Sequence, residues 1–197
     1  MSDKLCGVKV GFAMCGSFCT FSNAFEAAKI LSAKGCELTP IMSFNAYNIS
    51  SRFGTAQEHI ERLEGICNKK VIATIEDAEP IGPKKLLDVL VVMPCTSNTL
   101  AKLAYGITDT PVTMAVKSHI RNGRPVVLAI ATNDALSGCA KNIGMLQNYK
   151  HYYFVPYCQD DCTAKPNSLV AHYDMVSDAV VAALKGIQIQ PVLNLHT

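Results

Sequence analysis

Residues 86–103 read LLDVLVVMPCTSNTLAKL, and the fold follows from how this stretch divides. Leu87 to Met93 is a β-branched, apolar run with one charge, Asp88, near its start. That is how a strand covered on both faces of a parallel sheet reads. Pro94 is expected to stop it. Cys95-Thr96-Ser97-Asn98-Thr99 follows, and Leu100, Leu103 and Ala104 then resume at helical spacing. A strand that breaks into a polar turn and feeds a helix leaves unpaired N–H groups at the carboxyl edge of the sheet. Free amides and the helix dipole favour negative charge there, so the turn is the expected centre of a site for a phosphate-bearing ligand.

Upstream, Val8 to Ala13 (VKVGFA) reads as a first strand followed by a Gly16-Ser17 turn. Ala24, Ala27, Ala28 and Leu31 form the buried face of a helix from about Ser22, with Ser17, Thr20 and Ser22 as candidate caps and Gly35 as its close. Neither GxGxxG nor GK[ST] is present, which excludes the dinucleotide fingerprint and the P-loop. Glu37 to Ser43 reads as a second strand, placed near an edge by Pro40. Phe44 to Phe53 reads as a polar loop. Thr55-x-x-Glu58 fits a capping box opening a helix that buries Ile60, Leu63 and Cys67, with His59 as a solvated residue of its first turn. Val71 to Ile75 fits a short strand, and Pro80 to Pro83 a turn.

Downstream, Gly106 ends the Ala101–Tyr105 helix, and Thr108-Asp109-Thr110-Pro111 caps another through Val112 to Ile120. His119, Arg121 and Arg124 suit its C-terminus. Pro125 to Ala131 reads as a buried strand ending in Thr132-Asn133-Asp134, then a helix through Ile143 and Leu146, then a strand over His151 to Val155. Pro156 to Pro166 reads as a loop. Ser168 to Leu184 reads as one long amphipathic helix with Leu169, His172, Met175, Val176, Ala179 and Ala183 on a face. Residues 1–186 thus form one α/β domain, and 187–197 an extended tail expected to pack on a neighbour. Strands and helices alternate, which predicts a doubly wound parallel sheet in a three-layer α/β/α sandwich. Such sheets bind ligands outside the carboxyl ends of their strands. Three strand ends carry polar turns: Gly16-Ser17, Cys95 to Thr99, and Thr132 to Asp134. One shared site is expected.

Hydrophobic residues make up 49% of the chain and charged residues 17%, which excludes disorder. No apolar run reaches the ~18 residues of a bilayer span. The first residues run straight into a strand pattern rather than a signal peptide, so the cytoplasm is the expected location. A net charge of +2 gives no electrostatic case for nucleic acid. The nine cysteines are scattered, odd in number and mostly in apolar segments, which favours reduced thiols used as small hydrophobes. Cys15-x-x-x-Cys19 and Cys158-x-x-x-Cys162 have zinc-ligand spacing but lack the usual knuckle context, so no metal is expected. Cys95, at a helix N-terminus, is weighed as a nucleophile and set aside for want of a neighbouring base. Tyr152 and Tyr153 suit either a ligand pocket or an aromatic core face, the commoner use.

These segments resemble the flavoprotein family of flavin-binding decarboxylases and their relatives. PCTSNTLAKLA (94–104) matches the family's Pro-x-Ser-Ala-Asn-Thr turn running into Ala-Lys-Leu-Ala, ITDTPVT (107–113) its acidic turn, and IATNDAL (130–136) its strand ending in Asn. FGTAQEHIERLE (53–64), AEPIGPKKLLD (78–88), YYFVPYCQDD (152–161) and KPNSLVA (165–171) extend the likeness over nearly the whole length. The resemblance implies a Rossmann-like flavoprotein fold, with the FMN phosphate at Gly16, Ser17 and Ser43. It places the isoalloxazine contacts at Thr96, Ser97, Asn98 and Thr99, with Asp109 and Thr113 nearby and Asn133 as the family's strand-end Asn. It also implies a trimer or larger ring, with flavin near the boundary between neighbouring copies. Ala131-Thr132-Asn133 departs from the decarboxylases' Pro-x-Met-Asn, Leu136 stands where Met is usual, and no His matches their catalytic one. Those departures count against oxidative decarboxylation. The branch resembled most implies one component of a two-component oxidoreductase acting on a dicarboxylate, with NADP held by a separate nicotinamide-binding partner. Arg52 and Lys117, with Arg121 and Lys165, are the candidate cations for that substrate, and Arg52 leads as the better carboxylate ligand. The alternatives are a stand-alone FMN-dependent decarboxylase and a non-catalytic scaffold.

Overall fold

Seven strands form one sheet, and its centre is the stretch that reads as most apolar. The computed structural model describes residues 5–193. β1 (Lys9–Met14), β2 (Glu37–Met42), β3 (Val89–Cys95), β4 (Val126–Thr132) and β5 (Tyr152–Phe154) run parallel in the order β2-β1-β3-β4-β5. β6 (Tyr157–Gln159) and β7 (Leu169–Ala171) are antiparallel, and β7 pairs with Ala131 and Thr132 at the carboxyl end of β4. β4 therefore has β5 beside its first half and β7 beside its last.

All seven residues of β3 are buried. The expected stop at Pro94 does not occur: the strand continues to Cys95, with a register shift against β4 between Val92 and Cys95. Proline supplies no N–H to the ladder, so pairing is interrupted at it while the extended backbone goes on. β2 lies at the sheet edge, as Pro40 requires. A Cβ on Gly11, mid-β1, would come within 2.5 Å of Leu87 and Leu90, so those two leucines fill the place of its side chain.

Helices cover both faces. On one side α1 (Phe21–Ala33) packs with α3 (Ala56–Cys67) and α8 (Val176–Ala183). On the other are α5 (Ser97–Ala104), α6 (Pro111–Ile120) and α7 (Ala140–Asn148), with the short α4 (Ile75–Ala78) against α6. The Thr55–Glu58 capping box opens α3, and a Thr110–Thr113 pair opens α6.

Four expectations differ. Phe44–Asn48 is a short helix, α2, because the Ser43 hydroxyl accepts from Ala46 N and nucleates it. Val71–Ile75 is no strand; Ile72 makes an isolated bridge to Ile41. The 156–166 loop contains β6. The 168–184 helix is β7, a 3₁₀ turn at Tyr173–Met175 and only then α8. In the tail, Gln188 exchanges two side-chain hydrogen bonds with the backbone of Phe154, and Tyr157 N donates to Val192 O, so it runs along this chain's own β5 and β6. Residues 194–197 of the tail lie outside the described residues. No described helix is long and apolar enough to cross a membrane.

Candidate functional site

The strand order reverses between β1 and β3: β1 leads to β2 on one side, while β3 lies on the other. Crossovers on opposite faces diverge there and leave a crevice at the carboxyl ends of the strands. A cleft of about 960 Å³ opens at that end. Gly16 and Ser17 come to it from the end of β1, Thr96 and Ser97 from β3, and Thr132, Asn133 and Asp134 from β4. The three polar turns meet in one place.

Each turn is held by its own hydrogen bonds. Ser17 N donates to Cys15 O at 2.8 Å, and the Thr20 hydroxyl donates to Ser17 O at 2.8 Å. Thr96 is the N-cap of α5; its hydroxyl accepts from Thr99 N, which leaves the first-turn N–H groups of Ser97 and Asn98 without intrahelical acceptors. Thr132 donates to Asp134 Oδ1 at 2.5 Å, and Ser168, from the start of β7, donates to Asn133 Oδ1 at 3.4 Å. That last bond ties the β6–β7 hairpin to the β4 turn.

Two buried thiols lie at the strand ends, one residue before the lining residues Gly16 and Thr96. Cys15 and Cys95 are buried, and the Thr99 hydroxyl donates to Cys15 Sγ at 3.2 Å. Burial pushes the Cys15 thiol up to about 11, with Thr99 offsetting part of the shift. Burial raises Cys95 as well, and its place inside β3 removes it as a nucleophile. No cluster of three or more metal-ligating side chains occurs among the described residues.

The other expected site residues lie off this lining. Ser43 caps α2, Thr99 is bonded to Cys15, and Asn98 points from the exposed side of α5. Asp109 pairs with Lys102 at 2.8 Å, and Thr113 is fully buried in its reciprocal cap with Thr110. Arg52 is exposed, 4.9 Å over the Phe53 ring. Lys117 is exposed in the last turn of α6, the helix that leads into the start of β4 and so ends away from the strand tips. Of the four candidate cations only Lys165 reaches the cleft. His59 is not solvated: it is 6% exposed, its ring 4.8 Å from Phe21, and desolvation lowers its pKa. Its position four residues before Leu63 on the buried face carries that signal.

Sequence reasoning misses one wall of the cleft. Thr20 and Asn23 enter from the start of α1, and His172 and Tyr173 from the segment after β7. Burial pushes the Tyr173 phenol up, partly offset by the neighbouring Thr20, so it stays a neutral hydroxyl. Reading 168–184 as one helix hides both residues.

The flavoprotein family model matches residues 1–185. The chain belongs to the flavoprotein family. Over 191 residues it is 42% identical to the B subunit of dipicolinate synthase from Bacillus subtilis (strain 168), covering 97% of this chain and 96% of that one. The crystal structure of the B subunit of dipicolinate synthase from Bacillus halodurans superposes with a TM-score of 0.90 at 38% identity, over 98% of this chain and 99% of that one. The fold is also shared with the FMN-dependent cysteine decarboxylase SpaF, with a TM-score of 0.67 at 22% identity over 91% and 98% of the two chains.

Proposed function

We propose that this chain is the flavin-binding component of a dipicolinate synthase, with FMN held in the cleft at the β1, β3 and β4 tips. One observation supports it above the rest: the small polar turns fall in a single crevice on a chain 42% identical, end to end, to the B subunit of dipicolinate synthase. The donor set suits a flavin mononucleotide. Gly16 and Ser17 with the free first-turn amides of α5 favour a phosphate, while Thr96, Ser97 and Asn133 offer uncharged donors and acceptors for a heteroaromatic edge. Ser43, Asn98, Thr99, Asp109 and Thr113 lie off that lining; Thr99 fixes the β3 turn through Thr96 and Cys15. FMN bound there would supply a two-electron acceptor next to the substrate.

The reaction is oxidation of a dihydrodipicolinate ring to pyridine-2,6-dicarboxylate, with net loss of two electrons and two protons. The final acceptor, NADP, sits on the partner, the A subunit of dipicolinate synthase, since this chain lacks the dinucleotide fingerprint. The chain's own part is to bind and orient the planar ligand, to exclude water with the β6–β7 hairpin, and to keep its buried thiols protonated and out of the chemistry. Sporulating cytoplasm, and a homotrimer or larger ring, complete the reading.

Reconstitution tests it. Purified chain added to the NADP-binding partner, with NADP and the dihydro substrate, is expected to raise formation of pyridine-2,6-dicarboxylate, followed by its ultraviolet absorbance. Product formation no greater than with the partner alone would refute the assignment. Release of CO2 from a peptide or amino-acid thiol by this chain alone would favour the decarboxylase alternative.

A further inference from the structure

An anionic ligand meets a charge problem in this cleft. The lining carries the carboxylates of Glu26, Asp134, Asp160 and Asp174, and Lys165 is its one lysine or arginine among the described residues. Glu26 is matched by Lys29 at 2.8 Å and Arg62 at 3.4 Å. Lys165 lies on the loop between β6 and β7 and pairs with Asp160 at 2.6 Å. Cys19, from the turn before α1, lines the same cleft, so the loop lysine and the α1 entrance border one space.

That ion pair is not what shapes the loop. Asp161 Oδ1 accepts from Thr163 N at 3.0 Å and Ala164 N at 2.8 Å, and Lys165 N donates to Asp161 O at 2.8 Å. Gln159 Nε2 closes the turn by donating to Pro166 O at 2.9 Å. With both side chains half-exposed, at 51% and 39%, the pair adds little stability. A flexible stem with three rotatable donors can exchange one acceptor for another at small cost.

Building on the reading of this cleft as the flavin and dicarboxylate site, we infer that Lys165 anchors the ligand: its ammonium leaves Asp160 for an anionic oxygen, phosphate or carboxylate, of the bound molecule. Asp160 is then the internal competitor that holds the lysine in reserve. A charge-assisted hydrogen bond to the ligand exceeds the exposed pair it replaces.

Calorimetric titration of the full chain decides the matter, using FMN, riboflavin, and pyridine-2,6-dicarboxylate added to FMN-saturated protein. Lys165→Met is expected to weaken at least one anionic ligand by about ten-fold, and Lys165→Arg to restore most of that. Asp160→Asn, which removes the competitor, is expected to tighten the same ligand roughly two- to five-fold. A loss for FMN but not riboflavin makes the phosphate the partner of Lys165; a loss for the dicarboxylate makes it the carboxylate. Wild-type affinity for both in Lys165→Met overturns the inference. Should that variant fail to fold by circular dichroism, unchanged or weaker binding in Asp160→Asn overturns it instead. Wild-type protein that takes up none of the three overturns the flavin reading itself, a distinct result.

Discussion

β3 and β7 flank β4 on its two sides, and they hold it by different means. β3 is seven residues long, buried throughout, with helices over both faces and β1 continuing the parallel ladder beyond it. β7 is three residues long, meets β4 only at Ala131 and Thr132, and is preceded by β6 and an exposed loop over residues 159–167. Burial of apolar surface fixes the first, at roughly 25 cal/mol per Å². A few backbone pairs and polar ties such as Ser168 to Asn133 fix the second. The cleft lies between them, with a wall of strand tips on one side and, on the other, a hairpin wall that brings Asp160, Lys165 and Ser168. Low local stability on one side of a binding site is what ligand-responsive segments share.

Cutting a side chain from each wall should break or confirm this contrast. Leu90→Ala, in β3 at 0% exposure, is expected to lower stability by about 4 kcal/mol, against about 2 kcal/mol for Leu169→Ala in β7. Urea denaturation of both variants measures it, and equal losses would erase the difference. Acid should attack the rigid side. His119, on α6, shares a hydrogen bond with Pro125 O over 3.1 Å beneath the sheet, and burial lowers its pKa to about 4. The unfolded chain binds a proton at about 6.5 that the folded chain refuses until about 4, so stability is full above 6.5 and falls as the pH drops through that window. The loss is about 3 kcal/mol. In His119→Gln the slope of stability between pH 6.5 and 4 should flatten; an unchanged slope would assign acid sensitivity elsewhere. Thr55→Ala, which opens the capping box of α3 away from both walls, is expected to cost about 1 kcal/mol without altering ligand binding.

The same contrast governs how much can be read from the residues. β3 and β4 are apolar runs rich in β-branched residues, β1 is a mostly apolar run, and all three end in polar turns; turn chemistry with burial on both faces leaves such runs few alternatives. Their convergence follows from topology, since successive parallel strands bring their carboxyl ends to one edge. The hairpin wall carries no such signal. Leu169, His172, Met175 and Val176 are spaced as a helix face, and a three-residue strand is too short for a period of two to outweigh that spacing. Pairing with Ala131 and Thr132 decides the conformation, which is a tertiary effect that local propensity does not hold. Chemistry alone favours Arg52; the turn from Ser51 to Gly54 that carries it closes on itself by two backbone hydrogen bonds. Lys165 lies in a stretch that is irregular at its centre, as its composition suggests, and only the fold of β7 onto β4 brings it to the cleft.

Titration of FMN into the purified chain, followed by the flavin absorbance band and fluorescence, tests the central claim most directly. Saturable binding of about one FMN per chain, abolished by filling the crevice with Ser97→Tyr in a protein that still folds, is the predicted outcome. Absence of binding by the wild type, or undiminished binding by Ser97→Tyr, would contradict it.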